Sequence, residues 1–222
     1  MIRSACSAVV LLIVLFLCSS AFANSGGELL NFQGLGDLQA VGNFYNGGGL
    51  PSTPNYGVTF SSNFFGLRSV YNGGSGAFAS NPTGTPAIFM NGAAGTAVTG
   101  SMNVNAGFSG GIQFFYTAGF SETVTVWSGA NGTGTVLATI ALSPNNGSCT
   151  GFPTYCNWSS AGLNFSGSAK SVTFTGAADG IGLSDITLGS SSTAVPEPST
   201  FYLLGTGLAG VSLSRLRRFL GV

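Results

Sequence analysis

Alternation of apolar and polar residues with a period of two runs through the centre of the chain. Ile112, Phe114 and Tyr116 recur at every second position. Val124 and Val126 flank Thr125, and Val172 and Phe174 sit among Ser171, Thr173 and Thr175. Successive side chains of a strand point to opposite faces, so each stretch predicts a strand with one apolar face and one face of Thr, Ser or Gln. Further strands are predicted at Leu29 to Gln33, Gly57 to Ser61, Ala87 to Met90, Val98 to Val104, Val136 to Leu142 and Ile181 to Leu188. Asn-Gly pairs beginning at Asn46, Asn72, Asn91, Asn131 and Asn146 punctuate these runs and supply the positive φ that tight turns need. Residues 24–194 contain no heptad or amphipathic-helix pattern. The prediction is a mainly β fold, a single antiparallel β-sandwich of jelly-roll type.

The phase breaks once. Ile181 and Leu183 are followed by Ile186 and Leu188, so Asp185 falls where an apolar residue is due. A bulge at Ser184-Asp185 would absorb the extra residue and re-aim the carboxylate, outward or into a metal site.

Both ends of the chain have a different character. Arg3 precedes an apolar run from Ala8 to Leu17, and Ala21-Phe22-Ala23 forms an A-x-A site before Asn24. Residues 1–23 therefore read as a secretory signal peptide, cut by signal peptidase. Cys18 does not fit a lipidation site, because the bulky Leu17 stands where a small residue is needed. At the other end, Val195-Pro196-Glu197-Pro198 leads into the uncharged run Ser199 to Leu213 and then Arg215, Arg217 and Arg218. As a helix that run would reach about 22 Å against a hydrocarbon core of about 30 Å, a marginal span suited to a temporary anchor. The arginines would hold its end on the cytoplasmic side. On spacing alone, an ordinary C-terminal transmembrane anchor fits as well.

This tail resembles that of the PEP-CTERM proteins, whose mark is the Pro-Glu-Pro motif, an apolar helix and an Arg-rich end. The resemblance covers Val195 to Val222. It implies export in a Gram-negative bacterium that makes exopolysaccharide and transient anchoring in the inner membrane. It further implies processing by an exosortase, and delivery to the cell surface or the biofilm matrix. Setting both signals aside leaves residues 24–194, 171 residues and the size of one domain.

Composition limits what that domain can do. Its cations are Arg68 and Lys170, against Glu28, Asp37, Glu122, Asp179 and Asp185. Without a basic patch to neutralise phosphates, nucleic acid is excluded as a partner. Only 5% of the chain is charged, yet 44% hydrophobic and 12% aromatic content supports a core rather than disorder. Two cysteines remain, Cys149 and Cys156. After export they are expected to form a disulfide closing a short loop, worth about 2 to 3 kcal/mol. The spacing is not C-x-x-C and the chain has no histidine, which argues against a redox or metal role.

The missing histidine also bears on catalysis. Gly107-Phe108-Ser109-Gly110-Gly111 matches G-x-S-x-G but has no base to activate the serine. Lys170 is the only lysine, and no motif brings two carboxylates together as a glycosidase requires. The chain is therefore expected not to be an enzyme.

Binding chemistry is the alternative. Trp127, Trp158, Tyr71 and Tyr155 are candidate platforms for stacking sugar rings, although large aromatics also fill cores. Leu29-Leu30-Asn31-Phe32-Gln33-Gly34-Leu35 and Ser184-Asp185-Ile186-Thr187-Leu188 resemble the first and last strands of carbohydrate-binding-type jelly rolls. That resemblance implies that these strands pair and that an acid holds a structural calcium. It makes Asp185, Asp37 and Glu28 calcium-ligand candidates, with solvated acids at strand ends as the other reading. Two functions follow: a structural or adhesive matrix protein associated with exopolysaccharide, or a carbohydrate-binding module that recognises it. An exposed aromatic row would favour the second.

Overall fold

The computed structural model describes residues 27–93 and 96–189; the stretch expected to be a signal peptide, residues 1–23, and the sorting tail lie outside the described residues. Among the described residues nine strands form one continuous antiparallel sheet: β1 (Glu28–Leu30), β2 (Val58–Phe60), β3 (Phe64–Leu67), β4 (Ala87–Met90), β5 (Ala97–Ala118), β6 (Glu122–Trp127), β7 (Val136–Leu142), β8 (Ser159–Ala177) and β9 (Ile181–Leu188). Their order is β3-β4-β9-β5-β8-β6-β7, with β1 added on β9 and β2 on β5. The first and last strands pair, Glu28 opposite Leu188 and Leu30 opposite Ile186. Among the described residues no helix is long and apolar enough to cross a membrane.

The sheet closes over itself through its two long strands. Phe174 of β8 lies on the ladder beside Gly100, whereas Phe114 is 14 residues further along β5. In a straight strand that separation would span about 46 Å at about 3.3 Å per residue. The two rings are 5.9 Å apart instead. β5 and β8 must therefore bend, carrying the chain from one layer to the other. The bend falls where their register shifts, between Asn103 and Phe108 and again between Ser109 and Gly110. Gly107 and Gly110 have φ of 80° and 87° there, values that a residue with a Cβ rarely adopts. The G-x-S-x-G sequence is thus a bent strand rather than a strand-to-helix elbow.

Between the layers lies a core of Leu30, Phe32, Tyr45, Phe64, Met90, Met102, Ile112, Phe114, Phe174, Leu183 and Ile186, all buried. Phe64 packs edge-on against Phe174, with centroids 5.9 Å apart. Burying an apolar side chain of this size contributes about 1.5 to 3 kcal/mol, so these aromatic contacts between layers hold the sandwich shut.

Several sequence expectations need redrawing. Strands predicted at 98–104 and around 112–116 are one strand, because the glycines bend the ladder without ending it. The first strand stops at Leu30, since Phe32 takes φ 56° and turns the chain away. β3 went unforeseen because Phe64-Phe65-Gly66-Leu67 does not alternate apolar with polar residues.

Candidate functional site

Two depressions share Phe78 as a wall. The larger is a cleft of about 710 Å³ lined by loop residues 33–36, 68–72 and 78–86. Its first rim follows β1: the Phe32 N–H donates to the Tyr45 hydroxyl at 2.6 Å, which fixes the turn that presents Gln33 to Gly36. A second rim begins where β3 ends. The turn Val70–Asn72 is capped by Ser69, whose Oγ accepts from the Tyr71 N–H at 3.3 Å and donates to the Phe78 carbonyl at 2.6 Å. Gly73 closes the turn at φ 74°, the positive value anticipated for the Asn72-Gly73 pair. Tyr71 is left 65% exposed on the cleft rim.

Asp185 supports the third rim. The bulge is present: Gln113 and Phe115 of β5 face Thr187 and Ser184, so β9 carries one extra residue, and Asp185 takes φ 49°. Asp185 is 8% exposed, and its carboxylate accepts from the hydroxyls of Thr83, Thr85 and Ser184. Asn81 donates to the Thr85 carbonyl at 2.8 Å and to Ser184 Oγ at 3.2 Å. The bulge thus turns the acid toward the Asn81–Thr85 loop, where it organises hydroxyls instead of pointing to solvent.

The other acids lie apart from it. Asp37 accepts the main-chain N–H groups of Arg68 at 2.8 Å and Ser75 at 3.0 Å. Glu28 sits on β1 opposite Leu188, and partial burial raises its pKa. Among the described residues no three His, Cys, Asp or Glu side chains are grouped as a metal ion would need.

The smaller depression is a pocket of about 390 Å³ whose lining includes Phe89, Tyr155 and Gly182. Tyr155 is half-buried, its hydroxyl donates to the Asp179 carbonyl at 3.3 Å, and burial raises its pKa. Trp158 lies against Phe78 with centroids 5.7 Å apart and donates its ring N–H to the Ala79 carbonyl at 2.9 Å. The Cys149–Cys156 disulfide, with Cα atoms 5.6 Å apart, closes the loop that carries Tyr155. Trp127 is half-buried on the outer face of β6, bonded through its ring N–H to Thr173 Oγ1 at 2.9 Å. Of the four aromatic candidates only Tyr71 offers an open ring. The cleft also contains Arg68, Asn72, Asn81 and Gln33, none of them a binding candidate on the sequence, although Asn72 marks a turn and Gln33 lies in the segment that resembles a first strand.

A model of the PEP-CTERM protein-sorting motif matches residues 194–218. A search of curated proteins found no match. Among solved structures, a family 6 carbohydrate-binding module aligns at 12% identity and TM-score 0.40, over 75% of this chain and 95% of that one. A family 29 carbohydrate-binding module aligns at 16% identity and TM-score 0.40, over 77% and 95% of the two chains. A cleaved adhesin domain of Lys-gingipain from Porphyromonas gingivalis W83 aligns at 11% identity and TM-score 0.44, over 75% and 100%. The fold rests on the strand pairing above, and residues 194–218 carry the PEP-CTERM protein-sorting motif, which implies export, a membrane-anchored C-terminus before processing, and an exosortase-dependent surface protein.

Proposed function

We propose that this chain is a non-catalytic, exosortase-processed protein of the cell surface or extracellular matrix that holds exopolysaccharide in the polar cleft beside Tyr71. The observation that carries the reading is the cleft itself, about 710 Å³ with an open tyrosine ring among Gln33, Asn72 and Asn81. Saccharide rings bind where an aromatic face meets their C–H groups and amides meet their hydroxyls, and this cleft lies within the size range of small-ligand sites. The rims are tied by Ser69, Asp37 and Asp185, so little ordering entropy is lost on binding. The four aromatic candidates do not form an exposed row, so the carbohydrate-binding reading rests on the cleft beside Tyr71 rather than on such a row, and adhesion to the matrix would follow from binding there.

Co-sedimentation of the full chain, held in neutral detergent micelles, with exopolysaccharide purified from its producer tests this. Saturable retention that falls about 2- to 10-fold in Tyr71→Ala is expected, since a stacking contact is worth about 0.5 to 1.5 kcal/mol per aromatic pair. Retention unchanged in Tyr71→Ala would refute the site. Running both arms with calcium and with chelator tests the calcium reading of Asp185, Asp37 and Glu28: equal retention and equal thermal stability would end it.

A further inference from the structure

We propose that the cleft selects a carboxylate-bearing sugar, a uronate unit, with Arg68 as its anion ligand. This deepens the proposed function and rests on the cleft being the glycan site.

Charge placement carries the argument. The cleft lining includes one cation, Arg68, and no acid, whereas acids outnumber cations five to two over residues 24–194. A lone positive group has therefore been set into a neutral cleft on a domain that is negative overall. The nearest acid in the hydrogen-bond network does not serve the guanidinium. Asp37 spends one carboxylate oxygen on the Arg68 main-chain N–H and the other on that of Ser75. Among the described residues the Arg68 guanidinium has neither an ion-pair nor a hydrogen-bond partner.

The side chain is also anchored at its base. Gly76 donates to the Arg68 carbonyl at 2.8 Å. A Cβ built on Gly74 would lie 2.5 Å from the Arg68 Cβ, so the glycine loop packs directly on the arginine. Only two residues separate Arg68 from Tyr71, and both line the same cleft. A pyranose stacked on the tyrosine would thus have a planar, always-charged donor fork within the same site. Arginine pairs with a carboxylate through two parallel N–H donors, a geometry that a neutral hexose cannot match.

The test uses the full chain in neutral detergent micelles and isothermal titration with oligogalacturonate, oligomannuronate and oligoglucuronate, each beside its fully methyl-esterified form. Dextran sulfate separates sulfate from carboxylate recognition. At least one free acid should bind about tenfold more tightly than its ester, as expected for a charge-assisted pair. That preference should disappear in Arg68→Gln, weaken in Arg68→Lys, survive in Lys170→Gln, and shrink with added salt. Lys170 bonds the Asn105 carbonyl at 2.8 Å and does not line the cleft. Acid and ester binding equally, and both failing in Tyr71→Ala, would overturn the acidic preference while leaving the cleft as a glycan site. A preference that persists in Arg68→Gln would overturn the assignment to Arg68. Dextran sulfate bound as tightly through Arg68 would overturn the choice of carboxylate. If none of the free acids binds, the proposal falls.

Discussion

Glu122 gives the fold a pH dependence that can be worked out from its surroundings. It opens β6, is 2% exposed, and accepts the Ala177 N–H through Oε1 at 3.2 Å, while Oε2 has no partner among the described residues. Desolvation by burial pushes its pKa from 4.5 up to about 7, with the Ala177 hydrogen bond pulling slightly the other way. In the unfolded chain the group titrates near its ordinary value. Between these limits the folded protein keeps a proton that the unfolded chain has released, so raising the pH favours unfolding. The contribution is fully present below about pH 4.5, is lost as the pH rises toward 7, and is flat above. At about 1.4 kcal/mol per pH unit, this amounts to at most about 3.5 kcal/mol. Glu122→Gln keeps the acceptor for Ala177 and removes the titration. Urea denaturation of the two proteins from about pH 4 to about pH 8 should show their stability difference moving toward the variant by about 2 to 3 kcal/mol, mostly between pH 5 and 7. Glu28 shifts in the same direction in both proteins and cancels from the difference. Parallel curves would refute the reasoning.

Other perturbations follow from the same contacts. Gly176→Ala would place a Cβ 1.4 Å from Glu122 Oε2, so it should cost about 1 to 3 kcal/mol by denaturation, and Glu122→Ala in the same chain should recover part of that loss. Phe174→Ala removes the buried ring that meets both Phe64 and Phe114 and should cost about 3 to 5 kcal/mol, the largest single loss expected here. Asp185→Ala leaves the hydroxyls of Thr83, Thr85 and Ser184 without their acceptor; a loss of about 1 to 3 kcal/mol is expected, along with weaker polysaccharide retention as the Asn81–Thr85 rim loosens. Cys149→Ser should lower stability by about 2 to 3 kcal/mol, and thermal unfolding with and without reductant would check it.

The period-two alternation determined the β class and most of the strand positions, because burial on one face of a sheet forces that pattern on the sequence. It also located the bulge, since an extra residue in β9 must shift the apolar phase from Leu183 to Ile186. The sorting motif was equally legible, being carried by contiguous residues rather than assembled in three dimensions. Other features depend on distant segments meeting. Nothing local says that β5 and β8 bend far enough to bring Phe114 onto Phe174, because that outcome belongs to the packing of two layers. The direction of the Asp185 carboxylate depends on a loop about 100 residues earlier in the chain. The cleft is likewise made by segments around residues 34, 70 and 82, so Arg68, Asn72 and Asn81 gain a shared role only once tertiary structure places them on one surface. Aromatic residues look alike in a sequence whether they are core or platform. Packing decided that Tyr71 is open while Trp127, Trp158 and Tyr155 are half-buried and bonded, because exposure follows from what the rest of the fold covers.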